Sequence, residues 1–326
     1  MSGRAMRWAW SVLLLLGACS LPVLAAADLI WDSTRHAGAL ATGEAVVVLR
    51  EVMVAGQAAR LQAEAEIPAP GARHLAAGPD NGLVYASATA EGQLKFIDLA
   101  TAQQVHQVPA AAPQPGPLLY HPVLHKLASF NGPGTVTLFD TQSRAYEGLL
   151  PLGAPALAAL LAPDGRVVAA LPEQGQLLVL ALRPFRVLAR LPLPPSCQAG
   201  PALVADPATL RVFLPCATGQ IAVFDLRQGE WLTDWQPAVS PAGTDLLAQQ
   251  LFWDATGHRL LALTAQGQLV QCAPTQAEAR ILLRLPAGSV AAWDSPAQRL
   301  VVATPAEGAS AAAPSFAYSF QFVQVP

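Results

Sequence analysis

Between about residues 70 and 305 the chain is written as short apolar runs of roughly five to eight residues, rich in Val, Leu, Ile and Phe and bounded by Gly, Pro, Asp or Asn. Runs of that length and composition predict β-strands rather than helices. They recur with a fixed spacing. A turn follows the first run of each unit at Gly78-Pro79-Asp80-Asn81-Gly82, Tyr120-His121-Pro122, Ala162-Pro163-Asp164-Gly165, Ala205-Asp206-Pro207, Trp253-Asp254-Ala255-Thr256-Gly257 and Trp293-Asp294-Ser295-Pro296. Taken at positions 79, 122, 163, 207, 255 and 295, these turns lie 43, 41, 44, 48 and 40 residues apart. A second marker opens the third run: Gly92-Gln93-Leu94, Gly134-Thr135-Val136, Gly175-Gln176-Leu177, Gly219-Gln220-Ile221 and Gly267-Gln268-Leu269. Its intervals of 42, 41, 44 and 48 keep the same register, so the period is that of one repeated unit.

Each unit offers four runs. Leu94-Lys95-Phe96-Ile97-Asp98 alternates only weakly, and Arg166-Val167-Val168-Ala169-Ala170-Leu171 is apolar almost throughout. A strand apolar on both faces must be covered on both faces, as when one four-stranded sheet packs between two others. The expected fold is therefore all-β, a β-propeller whose sheets are blades set around a central channel. Segments 28–72 and 289–326 are each about one unit long and flank five complete units. This predicts seven four-stranded blades in a single domain over 28–326, with six blades and a shared closing blade as the alternative.

Composition narrows the picture. The 29 prolines and 24 glycines are scattered through the chain, and at ~3 kcal/mol per interior proline they exclude a helical bundle. Charged residues make up 13%, with 17 Arg, only Lys95 and Lys126 as lysines, and a net charge of −3. No basic block exists to neutralise phosphates, so nucleic acid is not an expected partner.

The first 27 residues read as a secretory signal, with Arg4 and Arg7 ahead of an apolar run, Trp8 to Leu16, that is too short to span a bilayer. Two processing sites compete within it. Leu16-Gly17-Ala18-Cys19 resembles a bacterial lipobox, in which Cys19 is lipidated and tethers the protein to a membrane. Ala25-Ala26-Ala27 before Asp28 is an ordinary small-residue cleavage site. Either route exports the protein to the periplasm or cell envelope, and membrane contact is expected only through the lipid anchor.

Ala202-Leu203-Val204-Ala205-Asp206-Pro207-Ala208-Thr209-Leu210-Arg211-Val212-Phe213, followed by Gly219-Gln220-Ile221-Ala222-Val223-Phe224-Asp225-Leu226, resembles a YVTN-type β-propeller repeat. Ala162-Pro163-Asp164-Gly165-Arg166 carries the same turn. The resemblance covers about residues 70 to 305 and is good in three units; after Thr244, Trp253-Asp254-Ala255 replaces the usual turn. It implies a disulfide between a Cys just before a first strand and one ending the second, here Cys197 and Cys216, leaving Cys272 free. It also implies that His74, after Pro70-Gly71-Ala72-Arg73, stands near the channel.

Most polar residues have a structural reading. Asp80, Asp164, Asp206, Asp254 and Asp294 fall at first-to-second strand turns, and Asp98, Asp140 and Asp225 close third strands, all places where Asp bonds nearby backbone. The six histidines lie in five different units without metal-ligand spacing, so no metal is expected. No Gly-x-Ser-x-Gly elbow, phosphate-cradling glycine motif or haem-attachment motif occurs, and no cofactor is expected. Trp231, Trp235 and Trp253 read as packing between blades.

In a propeller the loops joining second to third strands share one face with those joining successive blades. That face carries Glu91, Asn131, Glu173, Thr218 and Glu307, with Arg73, His74, Gln198 and Asp245 between blades. Arg73, His74, Glu91, Asn131, Glu173 and Asp245 are the candidate ligand-binding residues, Asp245 because an acid stands where other units have an apolar residue or Pro. The leading expectation is an exported, non-catalytic propeller binding a protein or small ligand there, as an accessory subunit of a cell-envelope complex. Resemblance to propeller enzymes keeps a second class open, a lactone hydrolase or a quinoprotein-dehydrogenase-like subunit; a lactonase metal would draw on Glu91, Asn131, Glu173 and Asp245. Assembly through exposed blade edges is the third reading.

Overall fold

Seven antiparallel sheets follow one another along the chain in a computed structural model that describes residues 28–54, 56, 58–78, 80–232, 248–272, 279–306 and 318–325. Blade 1 comprises β1 (Asp28–Asp32), β2 (Ala37–Ala41), β3 (Ala45–Val52) and β4 (Arg60–Pro68). Blade 2 comprises β5 (Ala72–Gly78), β6 (Leu83–Ala88), β7 (Gln93–Asp98) and β8 (Gln103–Pro109). Blade 3 is β9 (Pro115–His121), β10 (Lys126–Asn131), β11 (Thr135–Asp140) and β12 (Ala145–Pro151). Blade 4 is β13 (Ala158–Leu161), β14 (Val167–Leu171), β15 (Gln176–Leu182) and β16 (Phe185–Pro192). Blade 5 is β17 (Val204–Asp206), β18 (Arg211–Pro215), β19 (Ile221–Asp225) and β20 (Glu230–Leu232). Blade 6 is β21 (Ala248–Asp254), β22 (Arg259–Thr264), β23 (Gln268–Cys272) and β24 (Arg280–Arg284). Blade 7 has three strands among the described residues, β25 (Val290–Asp294), β26 (Arg299–Pro305) and β27 (Tyr318–Gln324). A single turn of 3-10 helix, Pro172–Gln174, is the only helix among the described residues.

The core explains the pattern of the sequence. Seven apolar clusters sit one at each interface between neighbouring blades. Side chains alternate across a strand, so Ala37, Ala39 and Ala41 of β2 face blade 2 while Leu40 faces blade 7. Likewise Val84 and Ala86 of β6 face blade 1 and Tyr85 faces blade 3. Middle strands therefore need apolar residues at every position, and β14 is buried throughout. The alanine-rich interface between blades 1 and 2 brings backbones close, whereas Tyr85, Phe96, Tyr120 and Phe139 fill the next one with edge-on and tilted rings 5.1 to 5.7 Å apart.

Both repeat markers have a backbone cause. The glycine opening each third strand sits in the left-handed region, as at Gly134 (φ 75°) and Gly267 (φ 77°), where a Cβ would be strained. At the turns, Asp254 Oδ1 accepts from the Thr256 and Gly257 amides at 3.0 Å each, and Asp140 Oδ1 accepts from Gln142 and Ser143. Asp80 and Asp294 also reach across blades, Asp80 accepting from the Tyr120 hydroxyl at 3.0 Å and Asp294 from the Ser33 hydroxyl at 2.7 Å.

Every sheet is built from one contiguous stretch, so the alternative of six blades with a shared closing blade is set aside. Closure instead joins the faces of blades 7 and 1 through Leu29, Leu40, Val47, Leu49, Val290, Ala292, Val301 and Ala303. The predicted disulfide is present between Cys197 and Cys216, with Cα atoms 4.8 Å apart, and Cys272 is free and buried. The signal segment and Cys19 lie outside the described residues.

Candidate functional site: the loop face around the channel

Hydrogen bonds place the second-to-third strand loops and the inter-blade connections on one face. Gly43 N donates to Ala72 O at 2.8 Å, Ala90 N to Pro70 O at 3.1 Å, Gly132 N to Gln114 O at 2.9 Å and Ala217 N to Gln198 O at 2.8 Å. The innermost strands begin at this face, so their first residues surround the channel mouth.

Among the described residues, a group of polar side chains lies at that mouth where blades 1 and 2 meet. β5 pairs with β6 at Ala72↔Ala88 and resumes at Leu75↔Ala86, so Arg73 and His74 together oppose Ser87. This is a bulge, a device that turns side chains out of the regular pleat. It is pinned by the Ser87 hydroxyl, which donates to His74 O at 3.5 Å, and it turns the Leu75 amide toward blade 1, where it donates to Asp28 Oδ2 at 2.9 Å. Arg73 is exposed and makes no hydrogen bond or ion pair among the described residues.

Asp28 and His74 are both held toward neutrality. Burial pushes the Asp28 carboxyl up to about 6, against the pull of the Leu75 and Leu29 amides. Burial pushes the His74 imidazole down to about 4, and the Arg73 charge adds to that shift. A desolvated acid and a neutral imidazole at a channel mouth are suited to hydrogen bonding with a polar ligand. Asp28 escaped notice in the sequence because it opens an apolar run beside the signal segment; its role depends on an amide 47 positions away.

The remaining candidates fall elsewhere. Glu91 pairs with Lys95 at 2.8 Å, and Lys95, 5% exposed, also donates to Pro68 O at 2.6 Å, tying blade 2 to blade 1. Asn131 is 2% exposed and spends its amide inside blade 3, donating to Ser129 O at 3.1 Å and Thr135 Oγ1 at 3.3 Å. Glu173 is exposed on the 3-10 turn of blade 4, while Thr218 and Gln198 are exposed in blade 5. Asp245, Glu307 and Trp235 lie outside the described residues. Trp253 stacks on Phe213 at 5.3 Å, and the Trp231 indole donates to Pro192 O of blade 4 at 2.9 Å, both as packing between blades.

No three His, Cys, Asp or Glu residues come together as a metal site among the described residues. A small cavity of about 140 Å³ beside the disulfide is lined by Ser196, Cys197, Cys216, Ile221 and Trp231. It is smaller than the ~300 Å³ that small-molecule pockets occupy at the least.

No protein-family profile matches the chain, and no curated protein matches it. Solved structures do. One is a chain in a crystal structure of a mitotic checkpoint complex, at 14% identity and a TM-score of 0.68, covering 93% of this chain and 87% of that one. Another is a chain of hydrazine synthase from Kuenenia stuttgartiensis, at 10% identity and a TM-score of 0.71, covering 91% and 94%. Identities this low carry the fold alone: the chain is a seven-bladed β-propeller, and such scaffolds host unrelated functions.

Proposed function

We propose that this protein is an exported, non-catalytic β-propeller that binds a protein or small polar ligand on its loop face, as an accessory subunit of a cell-envelope complex. The observation that carries the reading is the bulge at Arg73–His74. It presents an exposed cation beside two desolvated groups, Asp28 and His74, whereas Glu91 of the same face is spent on an ion pair with Lys95. Glu173, Thr218 and Gln198 supply further exposed polar groups on neighbouring loops, and Asp245 extends the candidate set. The Cys197–Cys216 disulfide supports an oxidising compartment outside the cytoplasm, in keeping with the signal-like first 27 residues.

The competing reading is a propeller enzyme, and the acid at Asp28 is its one specific support. Both are tested on protein purified from its native envelope, wild type against Arg73→Glu. The binding reading expects a partner or ligand that co-purifies with the wild type and is lost from the variant, with thermal unfolding unchanged. Stoichiometric divalent metal in the pure protein, with turnover of a lactone or amine, would replace it with the enzyme.

A further inference from the structure

Blade 7 differs from the other six at its outer edge. Third strands elsewhere are deeply buried, as in β7 and β11, because a fourth strand covers them. β27 occupies the third position yet alternates between half-buried and exposed residues, and among the described residues no strand pairs with its outer edge. Its sequence, Tyr318-Ser319-Phe320-Gln321-Phe322-Val323-Gln324, holds no charge and no proline. Exposed edge strands normally carry such residues, which block pairing with another chain. The outermost strands of the other blades follow that rule: β4 has Arg60, Glu64 and Glu66, β16 has Arg186 and Arg190, β24 has Arg280 and Arg284, β12 and β20 each carry a glutamate, and β8 has His106 and Pro109.

We propose that the open edge of β27 is a self-association surface, and that a second copy of this chain pairs its own β27 there, antiparallel, about a two-fold axis through Gln321. The segment is complementary to itself in that register. Phe320 faces Phe322 of the copy, Ser319 faces Val323, Tyr318 faces Gln324 and Gln321 faces Gln321, so no like charges meet and two aromatic cross-strand pairs form. One face of the strand is already seated: Tyr318, Phe320 and Phe322 pack on the apolar cluster between blades 7 and 1, Phe322 meets Trp31 of blade 1 edge-on at 5.7 Å, and Arg299 lies 3.5 Å over the Phe322 ring. The edge is thus held in strand conformation before any partner arrives, which lowers the ordering cost of association. Because blades diverge outward from the propeller axis, an outer edge that none of the described strands covers leaves room at the rim for a strand to enter.

The register makes the test specific. Opposed Cα atoms in an antiparallel pair are ~4.5 to 5.5 Å apart, within disulfide reach. Gln321→Cys is therefore expected to give a cross-linked dimer under oxidation. Ser319→Cys, whose copies would stand ~13 Å apart, is expected to give none. In analytical ultracentrifugation the wild type should dimerise with rising concentration. Gln321→Lys and Gln321→Glu should each weaken that by about tenfold or more, and their mixture should restore it as a heterodimer. Circular dichroism of each variant checks folding. A wild type that stays monomeric at high micromolar concentration, or a dimer equally cross-linked through position 319, overturns the proposal. β27 amides protected from hydrogen exchange in a monomer would show instead that the chain fills its own slot.

Discussion

Arg299 Nη2 donates to Glu51 Oε2 at 2.8 Å across 248 residues of sequence, joining the last blade to the first. The same guanidinium donates through Nε to Asp294 at 2.8 Å and stacks on Phe322, while His36 Nδ1 meets the same Glu51 Oε2 at 2.8 Å. Burial pushes the Glu51 carboxyl up, but the Arg299 and His36 contacts outweigh it and hold it below the usual carboxylate range. Among the described residues no strand is shared between blades 7 and 1, so this ionic cluster and the apolar interface beneath it close the ring.

Arg299→Met is expected to lower stability by about 3 to 5 kcal/mol, because it leaves two buried carboxylates without the cation they share. Glu51→Gln should cost less, since Asp294 still holds the arginine. Urea unfolding of both variants checks the order, and equal losses would count against the cluster as the closing device.

Asp28 and His74 give opposite pH dependences. The Asp28 pKa is raised on folding, so its favourable contribution is complete below about 3.8 and is lost as pH rises through about 6. Asp28→Asn keeps an acceptor for the Leu75 amide and should raise the melting temperature at pH 8 but not at pH 3.5. The His74 pKa is lowered, so its contribution is complete above about 6.5 and is lost as pH falls through about 4. An NMR titration should place the His74 midpoint near 4; a midpoint near 6.5 would mean that the imidazole is solvated.

Reduction of Cys197–Cys216 should destabilise the protein by about 3 kcal/mol, the loop-entropy value for a separation of 19 residues. A non-reducing peptide map should link those two cysteines. Burial pushes the Cys272 thiol up to about 12, so it should resist iodoacetamide at pH 8 until the chain unfolds.

The anchor is tested by Cys19→Ala in the exporting host. A lipidated Cys19 partitions the protein into detergent, and the substitution should release it or block processing. A mature N-terminus at Asp28 would assign the ordinary cleavage site instead.

The sequence by itself determined the repeat and the positions of its apolar runs, and it pointed to seven blades with six as the alternative, a choice decided by the seven separate sheets. Those follow from local chemistry: glycines in the left-handed region, Asp turns, and middle strands buried on both faces leave marks at every period. The Cys197–Cys216 pair was legible through the YVTN-like pattern. The tertiary structure decided what the polar residues of the loop face do, because that depends on neighbours distant in sequence. Glu91 and Asn131 look like their exposed counterparts in sequence, yet a lysine on the adjacent strand and a hydroxyl cluster within blade 3 claim them. Asp28 becomes part of the channel mouth only because a bulge in another blade frees the Leu75 amide to meet it. Ring closure through Arg299 and Glu51 likewise exists only once the seventh blade meets the first.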